Sequence, residues 1–335
     1  MKIAFFEVTE TEKENLKRLL DPLQAEFYED KLREENAELA KDADIVSVFV
    51  NSSVSPKIIE SLPNLKLIAT RSTGFDHIDK GAAAERDIKI VNVPAYGSES
   101  VAEFAFALIL TLSRKIFSAR HQLIEGDNFD ISKLEGFDLH DKTLGIVGTG
   151  RIGKNVARIA KGFGMNIIAH DPFPNESFAK EIGFKYVTLP ELLSTSDIIT
   201  LHVPYTKETY HLINKDNIPS IKKGAYLINT ARGEIVETDA MITALANGQL
   251  AGAGLDVLEG ERDLKEEIYL LAKGSKQIKE DFKLLYENQV LLDMPQVVVT
   301  PHIAFCSKEA KTEIQKTTVE NIKSFISGSP QNLVR

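Results

Sequence analysis

The chain has 335 residues, of which 43% are hydrophobic and 27% are charged, so it can bury a large core and its length predicts two domains. Its formal net charge of −9, without any Lys/Arg-rich block, argues against nucleic acid or anionic membranes as partners. The longest apolar run, 104–112, is too short to cross a bilayer, and the N-terminus lacks signal-peptide features. The single cysteine, Cys306, excludes an internal disulfide and favours a cytoplasmic location, and without Cys/His clusters we expect no metal site.

The first 93 residues alternate short apolar runs with helical patterns, which predicts strands that pair in parallel. The strands are expected at residues 3–8, 25–28, 45–50, 65–70 and 88–93. Parallel sheets bind ligands beyond the carboxyl ends of their strands, so the loops at residues 50–53 and 71–76 are candidate binding segments. The second loop contains Gly74, which leaves backbone N–H groups exposed to an anion, although the pattern also fits a plain connecting turn.

Residues 94–98 interrupt the pattern and are a candidate hinge. Ser100 and Glu103 then have the spacing of a capping box, which predicts a helix that continues to about Arg120. An apolar stripe on this helix predicts burial in a core or at a subunit contact, and the pattern alone leaves both open. The stripe comprises Val101, Phe104, Ala105, Leu108 and Leu112.

The most informative stretch is residues 143–153, where an apolar run ends in three glycines spaced G-x-G-x-x-G and a helical pattern follows. Gly148 suits a tight turn, Gly150 permits close approach of a pyrophosphate, and Gly153 permits close packing of helix against strand. The positive helix N-terminus favours the phosphates. The alternative interpretation is a glycine-rich turn in an ordinary α/β protein. Such a turn requires neither the apolar run before the glycines nor the helical pattern after them.

A second apolar run, residues 165–169, is followed by Asp171. A carboxylate at this position of a dinucleotide fold can accept hydrogen bonds from both hydroxyls of the adenosine ribose. It would repel a 2′-phosphate, and no Lys or Arg directly follows it, which favours NAD over NADP.

Four further apolar runs end in polar residues, as buried parallel strands do. They occupy residues 197–204, 224–229, 251–257 and 296–300. In a doubly wound sheet such ends face one crevice, so Arg232, Asp256 and His302 are expected near a cofactor's reactive end.

These patterns predict an α/β protein in which a Rossmann-type doubly wound parallel sheet is inserted into a smaller flavodoxin-like α/β domain. The nucleotide domain would comprise residues 98–303, and the substrate domain residues 1–97 and 304–335. A helical stripe in the tail fits its return to the first domain. The stripe comprises Ile314, Thr318, Ile322 and Phe325.

Hydride exchange with a carbonyl needs a nicotinamide, a proton donor and a cation to hold an acidic substrate. Of the seven histidines, His302 is the best proton donor because it follows a strand end directly. Glu261 is the candidate carboxylate that would orient the ring and favour its protonated form. Arg232 can bind a carboxylate at two points, although a solvated or capping role is the alternative.

Five motifs in order resemble the NAD-dependent D-2-hydroxyacid dehydrogenases over nearly the full length. They are Gly148-Thr149-Gly150-Arg151-Ile152-Gly153, Asn229-Thr230-Ala231-Arg232-Gly233, Gly254-Leu255-Asp256-Val257, Glu261, and Pro301-His302-Ile303-Ala304. The resemblance implies that Arg232 binds the substrate carboxylate and that His302, paired with Glu261, moves the proton. It also implies a homodimer joined through the nucleotide domains, partly by the long helix after Ser98.

The resemblance further implies cofactor and substrate contacts. The implied NAD-binding residues are Gly148, Gly150, Arg151, Ile152, Gly153, Asp171, Val203, Pro204, Thr209, Thr230, Ala231, Arg232 and Asp256. The implied substrate-binding residues are Thr73 and Gly74 through their backbone N–H groups, with Tyr96, Arg232, His302 and Phe305.

Within the family the chain is most similar to the D-lactate dehydrogenase branch, on the evidence of residues 71–79, 93–104 and 202–204 and of a long, helical, charged segment at 262–295. The expected reaction is therefore reduction of pyruvate to D-lactate. The alternatives are a reductase for hydroxypyruvate, glyoxylate or a branched 2-oxo acid, and, more remotely, an NAD-sensing corepressor that acts by binding proteins.

Overall fold

The computed structural model describes residues 1–126, 129–261 and 282–334. These residues form two compact units, the first made of Met1–Gly97 with Cys306–Arg335 and the second of Ser98–Phe305. No helix within the described ranges is long and apolar enough to cross a membrane.

The first unit is built on a parallel sheet with the strand order β2-β1-β3-β4-β5. Its strands are β1 (Ile3–Phe5), β2 (Ala25–Phe27), β3 (Ile45–Val48), β4 (Leu67–Thr70) and β5 (Lys89–Val91). Its α-helices are α1 (Glu10–Leu20), α2 (Pro56–Ser61), α3 (Lys80–Glu85) and α11 (Lys308–Ile326), with a 3₁₀ helix at Glu34–Ala40. This order is the flavodoxin-like arrangement predicted from the sequence.

The C-terminal helix α11 belongs to the first unit. Its residues Val319 and Ile322 are buried in a cluster with Ile3 and Phe5 of β1. The predicted stripe lies on the packed face, since Ile314, Thr318 and Ile322 are buried.

The second unit contains a longer parallel sheet with the order β12-β11-β10-β9-β6-β7-β8. Its strands are β6 (Thr143–Val147), β7 (Asn166–His170), β8 (Lys185–Tyr186), β9 (Ile198–Leu201), β10 (Ala225–Asn229), β11 (Leu250–Leu255) and β12 (Val297–Val299). Its α-helices are α4 (Ser98–Ser113), α5 (Ile116–Gly126), α6 (Arg151–Gly162), α7 (Glu176–Ile182), α8 (Leu189–Thr195), α9 (Thr238–Ala246) and α10 (Phe282–Asp293). The order reverses between β6 and β9, as in the predicted Rossmann-type fold.

Alternation along β6 sends its side chains to two separate apolar clusters, so both faces of this sheet are covered. Ile146 lies in one cluster with Ala105 and Ile109 of α4, and Val147 lies in the other with Leu201 and Leu227. The first cluster shows that α4 is a core helix.

Helix α4 differs in two respects from the long helix predicted to reach Arg120, so that prediction is wrong. It ends at Ser113, and Lys115 adopts a left-handed backbone conformation with φ 53° before α5 begins. It also begins at Ser98, so the predicted capping-box residue Ser100 lies inside the first turn. A glycine at this position would have indicated a helix end in the sequence, whereas a lysine that adopts a left-handed conformation gives no such indication.

Candidate active site

The glycine-rich turn joins β6 to α6 and has the predicted geometry. Gly148 has φ 92°, and a side chain there would lie 2.9 Å from the carbonyl group of His202. A Cβ on Gly153 would overlap the carbonyl oxygen of Gly148, so helix and strand need a glycine at this contact. At Gly150, by contrast, a Cβ would meet no atom within 4 Å. The turn therefore has an open side at the N-terminus of α6, which fits a pyrophosphate.

Asp171 follows β7 and braces this turn. Its Oδ2 accepts hydrogen bonds from the backbone N–H and the hydroxyl of Thr149, at 2.7 and 2.9 Å. Its Oδ1 accepts from the N–H of Phe173 at 2.8 Å. The same Thr149 hydroxyl lies 2.8 Å from that of Tyr186, a contact that the sequence did not reveal because β8 is so short. The carboxylate is thus fixed before any ribose binds.

The ends of β9 and β10 present buried polar atoms beside the turn. His202 Nε2 lies 2.9 Å from the hydroxyl of Thr200, whereas Nδ1 is buried and unpaired among the described residues. Burial lowers the pKa of His202 to about 3, so the ring is neutral near pH 7. The hydroxyl of Thr230 is likewise buried and unpaired within the described ranges. Unpaired buried polar atoms beside an open turn fit a polar ligand such as a dinucleotide.

The remaining predicted NAD residues in this region line the loop after β9 and the start of α6. The Val203 side chain lies against the glycine-rich turn, because a Cβ on Gly148 would be only 2.9 Å from it. Thr209 donates to the carbonyl oxygen of Pro204 at 2.6 Å, which closes this loop. Arg151 and Ile152 are the first residues of α6, and Ile152 packs partly against the core.

Arg232 lies in the loop after β10, and Asn229 fixes its backbone. The Asn229 amide donates to the carbonyl oxygen of Arg232 at 2.7 Å, and its oxygen accepts from the N–H of Ala231 at 3.0 Å. The guanidinium donates to the carbonyl oxygen of Ala231 at 2.7 Å and is half-buried. Asn229 was noticed only as part of a motif, although an asparagine that ends a strand favours such turns.

His302 and Glu261 form a close pair. Nδ1 of His302 lies 2.6 Å from Oε1 of Glu261, and both side chains are about one-quarter exposed, at 25% and 26%. This contact orients the ring and leaves Nε2 as the second nitrogen for a substrate. The ring of Phe305 meets that of His302 edge-on, with the ring centroids 6.4 Å apart.

Asp256 holds the loop that carries His302. One carboxylate oxygen accepts from the Thr300 hydroxyl at 2.5 Å and the Ile303 N–H at 2.9 Å, and the other accepts from the Ala304 N–H at 2.8 Å. Burial raises the pKa of Asp256, and these hydrogen bonds oppose that effect. The side chain is fully buried, so the structure shows a brace at a position expected to touch the cofactor.

The predicted substrate loop of the first unit is shaped by neutral groups. The Ser72 hydroxyl donates to the carbonyl oxygen of Gly74 at 2.6 Å, and the Thr73 hydroxyl donates to that of Val93 at 2.8 Å. Tyr96 follows β5 and is half-buried. Thr73, Gly74 and Tyr96 therefore lie in the first unit, whereas the charged candidates lie in the second.

Known proteins are similar to this chain in sequence and in fold. The family model for the D-isomer specific 2-hydroxyacid dehydrogenase NAD-binding domain matches residues 106–304. The chain is 38% identical to D-lactate dehydrogenase of Escherichia coli over the whole of both chains, and 34% identical to glyoxylate reductase of Korarchaeum cryptofilum over all of this chain and 96% of that one. Its fold superposes on D-lactate dehydrogenase from Aquifex aeolicus, complexed with NAD and lactic acid, with a TM-score of 0.85, 38% identity and coverage of 98% and 96% of the two chains.

Proposed function

Because the chain belongs to the D-isomer specific 2-hydroxyacid dehydrogenase family, we propose that it reduces pyruvate to D-lactate. The family membership makes it an NAD-dependent oxidoreductase of 2-hydroxy acids. The observation that carries the proposal is the 2.6 Å contact between His302 and Glu261, and Arg232, fixed after the end of β10, supplies the cation. When bound, NADH would supply the hydride and leave as NAD⁺, and the protein's own residues bind and orient the substrate and deliver the proton.

Arg232 binds the substrate carboxylate and polarises the carbonyl group. A planar guanidinium makes two parallel hydrogen bonds to a carboxylate, so it fixes orientation as well as charge. Backbone N–H groups of Thr73 and Gly74, with Tyr96, are the further substrate contacts in this proposal.

His302 donates a proton from Nε2 to the carbonyl oxygen during reduction and accepts it back during oxidation. The negative charge of Glu261 stabilises the protonated ring, and the hydrogen bond at Nδ1 fixes its direction. With the carboxylate and the carbonyl oxygen both held, only one face of the carbonyl carbon would be open to a nicotinamide in the second unit. The product therefore has one handedness, which is D in this proposal.

The methyl group of pyruvate meets the ring of Phe305, which lies beside His302. An added methylene changes binding in an apolar pocket by only about 1–3 kcal/mol, so larger uncharged 2-oxo acids should still react. A 2-oxo acid that carries a phosphate group, such as phosphohydroxypyruvate, should be a poor substrate.

The experiment is chiral analysis of the product together with kcat/KM for pyruvate, hydroxypyruvate, glyoxylate and 2-oxoisocaproate with NADH. D-lactate with pyruvate as the best substrate supports the proposal. An L-lactate product contradicts the mechanism, whereas a strong preference for another acid contradicts only the choice of substrate.

Glyoxylate reduction is the second candidate, because the similar protein of Korarchaeum cryptofilum is named a glyoxylate reductase. The same kcat/KM series separates it from pyruvate reduction. Steady NADH oxidation with either acid would also argue against the corepressor alternative.

The protein is further proposed to be a cytoplasmic homodimer. Large apolar side chains are exposed on α5 and in the residues that follow it, which supports a protein contact there. They are Ile116, Phe117, Leu123, Ile124, Phe129 and Ile131. Light scattering after size exclusion should give about twice the chain mass of 37.2 kDa. A monomer would contradict the assembly but not the reaction.

A further inference from the structure

A second histidine–carboxylate pair is joined to the first through the chain, because Glu259 precedes Glu261 by two residues. Nε2 of His211 is 2.7 Å from Oε1 of Glu259, and the two side chains are 25% and 15% exposed. The other oxygen of Glu259 accepts from the hydroxyl and the backbone N–H of Thr238, at 2.7 and 3.3 Å. One carboxylate therefore joins the loop after β9, the start of α9 and the segment after β11.

Glu259 is also fixed through its backbone. Its carbonyl oxygen accepts from the side-chain amide of Asn288 in α10 at 3.0 Å, and Asn288 is fully buried. Two residues later comes Glu261, whose N–H donates to the carbonyl oxygen of Leu258 at 3.2 Å. The turn from Leu258 to Glu261 thus connects Glu259 to the partner of His302 through a closed, hydrogen-bonded stretch of backbone.

The same turn packs against the loop that carries Arg232. A Cβ on Gly233 would overlap the backbone of Leu258 and Glu259, so the two loops touch without an intervening side chain. The His211 side is equally constrained, because its N–H donates to the carbonyl oxygen of Glu234 at 2.9 Å and its ring stacks on Tyr210 with the centroids 3.9 Å apart.

We propose that Glu259, held by His211 and Thr238, is a positioning residue that sets the placement of Glu261 against His302. It touches none of the reacting atoms and acts through the turn it anchors. A displacement of about 1 Å in a catalytic group can cost about 100-fold in rate, so a misplaced Glu261 should reduce turnover. The inference rests on the proposed reductase activity, since it concerns how fast that reaction runs.

The first test replaces Glu259 and measures kcat and KM for pyruvate reduction with NADH. Glu259→Ala should lower kcat by about 10-fold or more, while the Kd for NADH from fluorescence titration stays within about twofold. Glu259→Gln should recover most of the loss, because its carbonyl oxygen can still accept from Thr238 and its amide can donate to the imidazole. A kcat of Glu259→Ala equal to that of the wild type would overturn the proposal.

The second test asks whether the effect passes through Glu261. In a Glu261→Gln background, Glu259→Ala should cost less than about twofold more in kcat, because the group it positions is already impaired. An equal loss in both backgrounds would mean that Glu259 acts independently of Glu261, and it too would overturn the proposal. If Glu259→Ala does not fold, His211→Gln serves in the same cycle with the same two outcomes.

Asp197→Asn is the matched control. Asp197 is also a partly buried carboxylate that binds a cationic group and a backbone N–H, Lys222 and Thr143, both at 2.8 Å. It precedes β9 and so lies at the amino edge of the sheet, away from the site. Its loss should lower thermal stability without lowering kcat. Wild-type protein that reduces no 2-oxo acid would refute the proposed function, whereas active wild type with unaffected Glu259 variants would refute only this inference.

Discussion

The carboxyl edges of the two sheets are stabilised alike but present different chemistry. In the first unit, Glu7 accepts from the backbone N–H groups of Phe49, Asn51 and Ser52 at 2.9–3.1 Å, much as Asp256 accepts from the His302 loop of the second. Buried Arg71 donates to the carbonyl oxygens of Phe6 and Glu7. A carboxylate that accepts several N–H groups, half-buried in the first unit and fully buried in the second, is thus how each unit fixes a loop without regular structure.

The difference lies in what those loops offer a ligand. The second unit offers ionisable side chains, Arg232, Glu261 and His302, whereas the loop at Thr73 and Gly74 offers backbone groups shaped by hydroxyls. Burial lowers the pKa of Arg71 to about 10, and its guanidinium donates to the backbone of Phe6 and Glu7 and to the hydroxyl of Ser47. We therefore expect substitutions in the second unit to change chemistry and those in the first to change substrate affinity.

Arg232→Lys should give the largest effect. The charge is kept but the planar two-point contact is lost, so kcat/KM for pyruvate should fall by about 100-fold or more. The Kd for NADH should change far less. An unchanged kcat/KM would remove Arg232 from the carboxylate site and would break the comparison.

Glu261→Gln should come next. The neutral amide stabilises the protonated ring of His302 less well, so kcat for reduction at pH 7 should fall by about 10-fold to 100-fold. The Kd for NADH should change by less than about twofold, because the pair makes the proton transfer and not the cofactor contacts. A kcat within about twofold of the wild type would show that the pair does not act as one unit.

Asp171→Asn should alter the choice of cofactor by a smaller factor. The variant loses the charge that would repel a 2′-phosphate but can still accept one of the Thr149 hydrogen bonds. The ratio of kcat/KM for NADH over NADPH should shrink by about 10-fold, which corresponds to about 1.4 kcal/mol. Equal use of NADH and NADPH by the wild type would refute this role for the acid.

Ser72→Ala should give the smallest effect and one of a different kind. The variant loses the hydrogen bond to the carbonyl oxygen of Gly74 and the 2.7 Å contact with the Thr70 hydroxyl. The first shapes the loop and is worth about 0.5–1.5 kcal/mol, so KM for pyruvate should rise about 2-fold to 10-fold with kcat unchanged. Ser61→Ala is the control, since its hydroxyl donates to the carbonyl oxygen of Ile58 within α2 at 2.8 Å. A fall in kcat as large as that of Glu261→Gln would erase the distinction between the two edges.

The sequence predicted the two sheet types and the glycine turn because those features depend on local patterns. Gly148, Gly150 and Gly153 are spaced by the geometry of a single turn, and the structure places them as that geometry requires. The β1 strand was predicted to reach Val8 but ends at Phe5, since Glu7 turns the chain with φ 57°. The left-handed conformation of Glu7 is stabilised by five hydrogen bonds from residues 49–52. Because that loop is distant in sequence, the local pattern around Glu7 does not reveal the turn.

The site was predictable to a similar limit. The pairing of His302 with Glu261 was predicted across 41 residues because a proton-donating histidine needs a carboxylate partner, and the match of both positions to a family motif supported it. The pair of His211 and Glu259 was missed, since 48 residues separate them and each alone reads as a solvated polar residue. The bracing role of Asp256 was missed because its hydrogen-bond donors follow the segment 262–295 and are therefore distant in sequence. Residues 262–281 of that segment, which was predicted to be helical, lie outside the described ranges.

The return of the chain to the first unit has a consequence for the order of folding during synthesis. Residues 332–334 lie along the edge of β5, where Val334 N–H donates to the carbonyl oxygen of Ile90 and Leu333 bridges Val91. The second unit is continuous in sequence, so its core can close while α11 is still inside the ribosome. We expect ribosome-bound chains stalled just after residue 335 is added, with α11 still inside the ribosome, to protect the second unit from protease while the first remains cleavable. The domain synthesised first would then be the one that finishes last.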